Sequence, residues 1–101
     1  MTNPTASGCL ASADALINGP RAESYGPVEN NHERIAALWN AWLSIRREPA
    51  DPLTAHDALI MMMLMKMART QGGANSLDNY TDGAAYIALA AEVAFGGDGS
   101  R

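Results

Sequence analysis

Cysteine, aromatic and basic residues are all scarce in this chain, which carries one Cys, one Phe, three Tyr and two Trp in 101 residues. Cys9 alone can neither close an internal disulfide nor build a cysteine zinc cluster, and a solitary thiol suits a reducing interior. Seven Lys and Arg stand against eleven Asp and Glu, a formal net charge of −4. That balance excludes a broad cationic surface, so nonspecific DNA binding is not expected. The opening "MTNPTASGCLASADALINGP" has neither the basic start nor the long apolar stretch of a secretory signal. Between Asp57 and Lys66 only eight uncharged residues occur, where a bilayer span needs about 20. These absences lead to the expectation of a cytoplasmic protein that does not enter the membrane.

What the chain does have is 48% hydrophobic residues with no strand-like alternation, and a length suited to one domain with a small core. The class expected is all-α, a small antiparallel bundle of about four helices with oligomerisation as a natural supplement. Residues 1–8 and 96–101 read as flexible ends around a single helical domain, 9–95. A short helix is expected from about Leu10 to Ile17, stopped by "NGP". "RAESYGPVEN" reads as a loop. From Val28 to about Ile45, Ile35, Leu38, Trp39, Trp42 and Ile45 recur at helical spacing as one apolar face. Thr54 with Asp57 forms a capping box that opens the next helix, which runs to about Thr70. Its stretch from Leu59 to Met65 is apolar all round, as in a helix enclosed by neighbours, and five of the six methionines fall at 61, 62, 63, 65 and 67. The last helix runs from about Leu77 to Phe95, with Asn75 or Ser76 as cap.

Sites in small bundles are built where polar side chains enter inward stripes. On the second helix Asn31 continues the face of Ile35, Leu38 and Trp42, while His32 aligns with Trp39 between Glu29 and Glu33. On the last helix Asp78, Asp82, Ala85 and Leu89 share one face, and two carboxylates four residues apart suit either a divalent cation or a buried lysine. Tyr86 follows Asp82 by one turn. Lys66 sits inside "ALIMMMLMKMART", and an ammonium in such company needs an anionic partner or a route to solvent. Short loops make consecutive helices antiparallel, so the C-terminal third of the Met-rich helix lies beside the first turns of its neighbours. Lys66 is therefore a candidate partner of Asp78 or Asp82, with Asn31 near the same level and Arg69 at the mouth. A structural ion pair and a snorkelling lysine are the plainer alternatives.

"RAESYGPVENNHERIAALWNAWL", "LTAHDALIMMMLMKMART" and "SLDNYTDGAAYIALAAEV" together resemble a small phage and prophage domain family of unknown function, over residues 21 to 93. That family in turn resembles the all-α nucleoside triphosphate pyrophosphohydrolases of the MazG-like kind, which hold Mg²⁺ on acidic pairs and cleave between the α and β phosphates. The resemblance implies a phage-encoded protein acting in the cytoplasm of an infected or lysogenic bacterium. Asp78 and Asp82 stand for the later acidic pair, and Glu29 with Glu33 for the earlier one at a spacing of four rather than three. Lys66 and Arg21 or Arg69 would meet phosphates, and Tyr25 or Tyr86 the base. A lysine where a metal ligand would otherwise stand leaves two nucleotide-binding outcomes open: Mg²⁺-dependent hydrolysis, and a non-catalytic sponge for a nucleotide-derived defence signal. A third outcome is an oligomeric interaction module with no small-molecule site.

Overall fold

The computed structural model describes residues 4–18, 28–73 and 75–96, with the side chains of residues 28 and 29 left aside. Its helices are α1 (Ala6–Asn18), α2 (Val28–Ile45), α3 (Ala55–Arg69) and α4 (Leu77–Ala94), and the described residues contain no strand. None of these helices is long and apolar enough to cross a membrane.

Helix α1 begins at Ala6 rather than Leu10, inside the segment expected to be a loose end. Thr5 explains the earlier start: its hydroxyl accepts from the Gly8 backbone N–H at 3.0 Å and its carbonyl from that of Cys9 at 2.9 Å, which is N-cap geometry. No residue of α1 is buried. Cys9 is exposed and free.

The centre of the fold is α3, which packs against α2 on one side and α4 on the other; these are the two substantial helix contacts. It is thus flanked rather than enclosed. Ile60 and Ala68 are buried, Leu59 and Met61 to Met65 are half-buried, and Met67 is exposed. A helix with neighbours on two sides keeps two free faces, so an apolar circumference did not mean full enclosure. On α2, Ile35 is buried and Leu38, Trp39 and Trp42 are half-buried, but Ile45 is exposed. In that last turn Trp42, with Arg46 just after it, keeps the contact with α3, and Ile45 falls to the side of it.

Two indoles stitch α2 to α3. Trp39 Nε1 donates to the Met61 carbonyl at 2.7 Å, and Trp42 Nε1 donates to Asp57 Oδ1 at 3.1 Å. Trp42 also lies against His56, with ring centroids 6.1 Å apart. Asp57 completes the capping box, its Oδ2 accepting from the Thr54 backbone N–H at 2.8 Å while Thr54 Oγ1 accepts from the Asp57 N–H at 3.2 Å. The same carboxylate pairs with Arg46 at 3.2 Å, with the two side chains only 8% and 7% exposed for Arg46 and Asp57. Arg46 in turn donates to the carbonyls of Asp51 and Pro52, both at 3.0 Å. One acid therefore caps α3, anchors α2 and fixes the loop between them.

The seam between α3 and α4 works by smallness. The buried face of α4 is Asn79, Gly83 and Ala90, with Tyr86 half-buried beside them. That face is one residue out of step with the Asp78, Asp82, Ala85, Leu89 stripe expected from the sequence, of which Ala85 and Leu89 are exposed. Glycine and alanine at the contact let two backbones approach, and the bulkier side chains move to the flanks. A Cβ built on Gly83 would lie 3.7 Å from Lys66 Cβ. Asn79, buried at this seam, donates to Asn75 Oδ1 at 3.2 Å.

Three outcomes follow for stability. Asp57→Ala strands Arg46 and three further donors, the Trp42 indole and the Thr54 backbone and hydroxyl, at a cost of about 3 kcal/mol, read by urea unfolding at pH 7. The hydrogen bond from the Thr54 backbone, followed by those of the Thr54 and Trp42 side chains and the Arg46 charge, holds the Asp57 carboxyl below its ordinary 3.8 against the opposing effect of burial. Between that lowered value and 3.8 the unfolded chain binds more protons, so the contribution is present above 3.8 and is lost as pH falls through the folded value. Unfolding curves of the parent and Asp57→Asn are therefore expected to converge below that window. At Gly83 an alanine meets only ordinary van der Waals contact and removes a mid-helix glycine, so Gly83→Ala is expected to gain about 1 kcal/mol, whereas Gly83→Leu forces the helices apart and lowers the melting temperature.

Candidate functional site

Lys66 leaves α3 on the side facing α4 and its Nζ lies 2.9 Å from Asp82 Oδ2. The two ends of the pair live in different surroundings. The lysine side chain is 12% exposed and the aspartate 50%, so the lysine stem is largely covered while the carboxylate remains wet. Gly83 faces the lysine stem, where a Cβ would stand 3.7 Å from Lys66 Cβ, so there is room for a methyl but not for a large side chain. Lys66 thus neither snorkels alone nor faces an empty core. A half-exposed acid can let go of its lysine for water or a cation, and the lysine can then take another anion, without unfolding anything; the pair itself is worth little to stability on its exposed side.

Asp78 stands in the first turn of α4, exposed, with its backbone N–H donating to the Ser76 cap hydroxyl at 3.2 Å. Its carboxylate is one turn before Asp82, so the two acids share a flank of α4 as the spacing predicts. Tyr86 lies a further turn along and is half-buried. Arg69 is half-buried one turn after Lys66 and is engaged in an interaction of its own. Asn31 is half-buried on α2 and accepts from Arg34 on the same helix at 3.4 Å. The pairings Trp39 with Met61 and Trp42 with Asp57 set an antiparallel register that carries Asn31 to the level of Arg69, just beyond Lys66.

Glu33 and His32 are exposed on α2, and the Glu29 side chain, like Arg21 and Tyr25, lies outside the described residues. Among the described residues no group of three or more His, Cys, Asp or Glu comes together as a metal site. Asp78 and Asp82, one turn apart and both exposed, offer two carboxylates on one flank of α4. Two carboxylates and a lysine make a place that can engage phosphate through the ammonium and a hydrated Mg²⁺ through the acids, since Mg²⁺ keeps several waters and needs only one or two protein carboxylates.

Sequence reasoning missed the Arg46–Asp57 pair. Trp42 and Arg46 are four apart at the end of α2 and so face the start of the next antiparallel helix together, which is the signal that would have located it. Near this pair a cavity of about 560 Å³ opens between the α2–α3 loop and the end of α4, lined by polar residues including Arg47, Asp51 and His56. A second, almost wholly apolar groove of about 350 Å³ lies between α3 and α4, with Met63, Met67, Tyr80, Gly83, Ala84 and Ile87 among its walls.

Comparison with known proteins places these features in a phage lineage. Over 80 residues the chain is 38% identical to the Gene 55 protein of Mycobacterium phage L5, an overlap covering 79% of this chain and 48% of that protein. It is 36% identical over 77 residues to the Gene 55 protein of Mycobacterium phage D29, covering 76% and 47%. The chain thus spans about half the length of the curated relatives it matches. No solved structure matches it. The family model for a domain of unknown function, DUF6378, matches residues 8–94, from within α1 to the end of α4, and the chain belongs to that family.

Proposed function

We propose that this phage protein binds a nucleotide or nucleotide-derived ligand beside Lys66, in the manner of the MazG-like pyrophosphohydrolases, with Asp78 and Asp82 as the acids available to Mg²⁺. The observation that carries the reading is the Lys66–Asp82 pair, a lysine with a largely covered side chain held at 2.9 Å by a carboxylate that is half open to solvent. The covered stem holds the lysine in place while its acid remains open to exchange, and a lysine so held can give a charge-assisted hydrogen bond to a phosphate. Arg69 and Tyr86 stand one turn from the pair on α3 and α4 and supply a second cation and a ring. Hydrolysis and sequestration share this site and differ in whether Mg²⁺ aligns a water for attack.

Purified protein is expected to gain thermal stability with nucleoside triphosphates, and Lys66→Met to lose that response while remaining folded. Pyrophosphate release with Mg²⁺ distinguishes the two outcomes: turnover abolished in Asp78→Asn/Asp82→Asn marks an enzyme, and stabilisation without turnover marks a sponge. Activity that survives the double substitution, or no stabilisation by any nucleotide or cyclic dinucleotide, rejects the reading.

A second reading, an interaction module in which the pair merely ties α3 to α4, is favoured by the exposure of Leu77, Tyr80, Ile87 and Phe95. Under it Lys66→Met matches the parent in stability and keeps partner binding, with no ligand effect to lose.

A further inference from the structure

Helix α4 has two unlike flanks. Asp78, Asp82 and Glu92 fall on one. Along the other run Leu77, Tyr80, Ala84, Ile87, Ala91 and Ala94, at spacings of three, four, three, four and three, with no charge among them. All six are exposed. The large side chains of this stripe, with neighbouring Phe95 and Met67, are between 43% and 78% exposed. A three–four repeat is the seam of a helix pair, and among the described residues no helix buries this one.

The order of sizes along the stripe identifies what covers it. Large residues occupy 77, 80 and 87, and alanines 84, 91 and 94. Laid antiparallel on a copy of itself about a two-fold axis between 84 and 87, the stripe sets Leu77 against Ala94, Tyr80 against Ala91, and Ile87 against Ala84. Every bulky side chain then meets an alanine. A parallel pairing would stack tyrosine on tyrosine and leave alanine facing alanine across a gap. Self-complementarity of this kind is the requirement of an isologous interface.

Three further observations agree. Tyr80 already has its hydroxyl engaged, accepting from Asn75 Nδ2 at 2.7 Å, so burying its ring strands no polar group. The antiparallel arrangement puts the positive N-terminal end of each α4 beside the negative C-terminal end of the other. With aromatic side chains of about 150–250 Å² and aliphatic ones somewhat smaller, the exposed parts of Leu77, Tyr80, Ile87, Phe95 and Met67 come to roughly 600 Å² per protomer before the alanines are added, close to the ~800 Å² a side of a stable complex. The apolar groove between α3 and α4 adjoins the stripe and shares Tyr80, Ala84 and Ile87 with it.

We propose that this chain forms a two-fold dimer through an antiparallel pairing of α4 with α4 of a second copy, centred between Ala84 and Ile87. The dimer supplies the second layer of helices that a single α2–α3–α4 layer lacks. It leaves Lys66 and Asp82 outside the seam, so it stands whether or not a nucleotide binds.

Sedimentation velocity of the full chain is expected to give twice the 10.7 kDa mass at micromolar concentration, and Ile87→Arg a monomer of unchanged helical content. Register is read separately, in a Cys9→Ser background: Tyr80→Cys/Ala91→Cys is expected to form an intermolecular disulfide under mild oxidation, and Leu89→Cys none. A monomer at all concentrations overturns the proposal, whether its stripe is bare or covered by α1 of the same chain. A dimer indifferent to Ile87→Arg, or one cross-linked efficiently through Tyr80→Cys alone to itself, eleven residues from its copy in the proposed pairing, overturns the interface or its direction.

Discussion

The carboxylate of Asp57 is the constraint on which the rest of the molecule depends. It receives the Trp42 indole, the Arg46 guanidinium and the Thr54 backbone at once. Each contact orients a different piece: the last turns of α2, the loop that Arg46 also grips through Asp51 and Pro52, and the first turn of α3. A chain this short has few large side chains to bury, and the buried apolar residues among those described are only Ile35, Ile60, Ala68 and Ala90. Directional polar contacts around one acid therefore set the α2–α3 geometry that a larger core would set by packing alone. Among the described residues no buried side-chain nitrogen or oxygen lacks a partner, as such an arrangement demands.

The opposite seam uses another means. Between α3 and α4 the contact is made by Gly83, Ala90 and Asn79 rather than by large hydrophobes. Close backbone approach lets Lys66 extend along α4 to Asp82, and the same economy of size pushes Tyr80, Ile87 and Leu89 outward. The polar pair on one flank of α4 and the apolar stripe on the other are thus two results of one packing choice.

Much of this was legible in the residues. Thr54 with Asp57, Ser76, and the glycines after Arg69 are local signals, and they located α3 and α4 to within a residue because capping is decided by near neighbours. The meeting of Lys66 with Asp82 was legible too, since antiparallel order and one helical period suffice to bring them level. What escaped depended on which helices touch. Ile45 and Leu89 have the periodicity of core residues, but periodicity marks a face without saying whether anything packs on it. The one-residue rotation of α4 arose because small residues, not large ones, define the close contact. The Arg46–Asp57 pair required knowing that the end of α2 meets the start of α3 side by side, a relation between elements rather than a pattern within one.

The placement of the two tryptophans has an optical consequence. Both are on α2 and both donate into α3, whereas α4 contains none. Tryptophan emission consequently watches a single boundary of the molecule, and peeling of the final helix is dark to it. Ellipticity sums over every helix while tryptophan emission reads one seam, and a mismatch between their midpoints would say which boundary parts first.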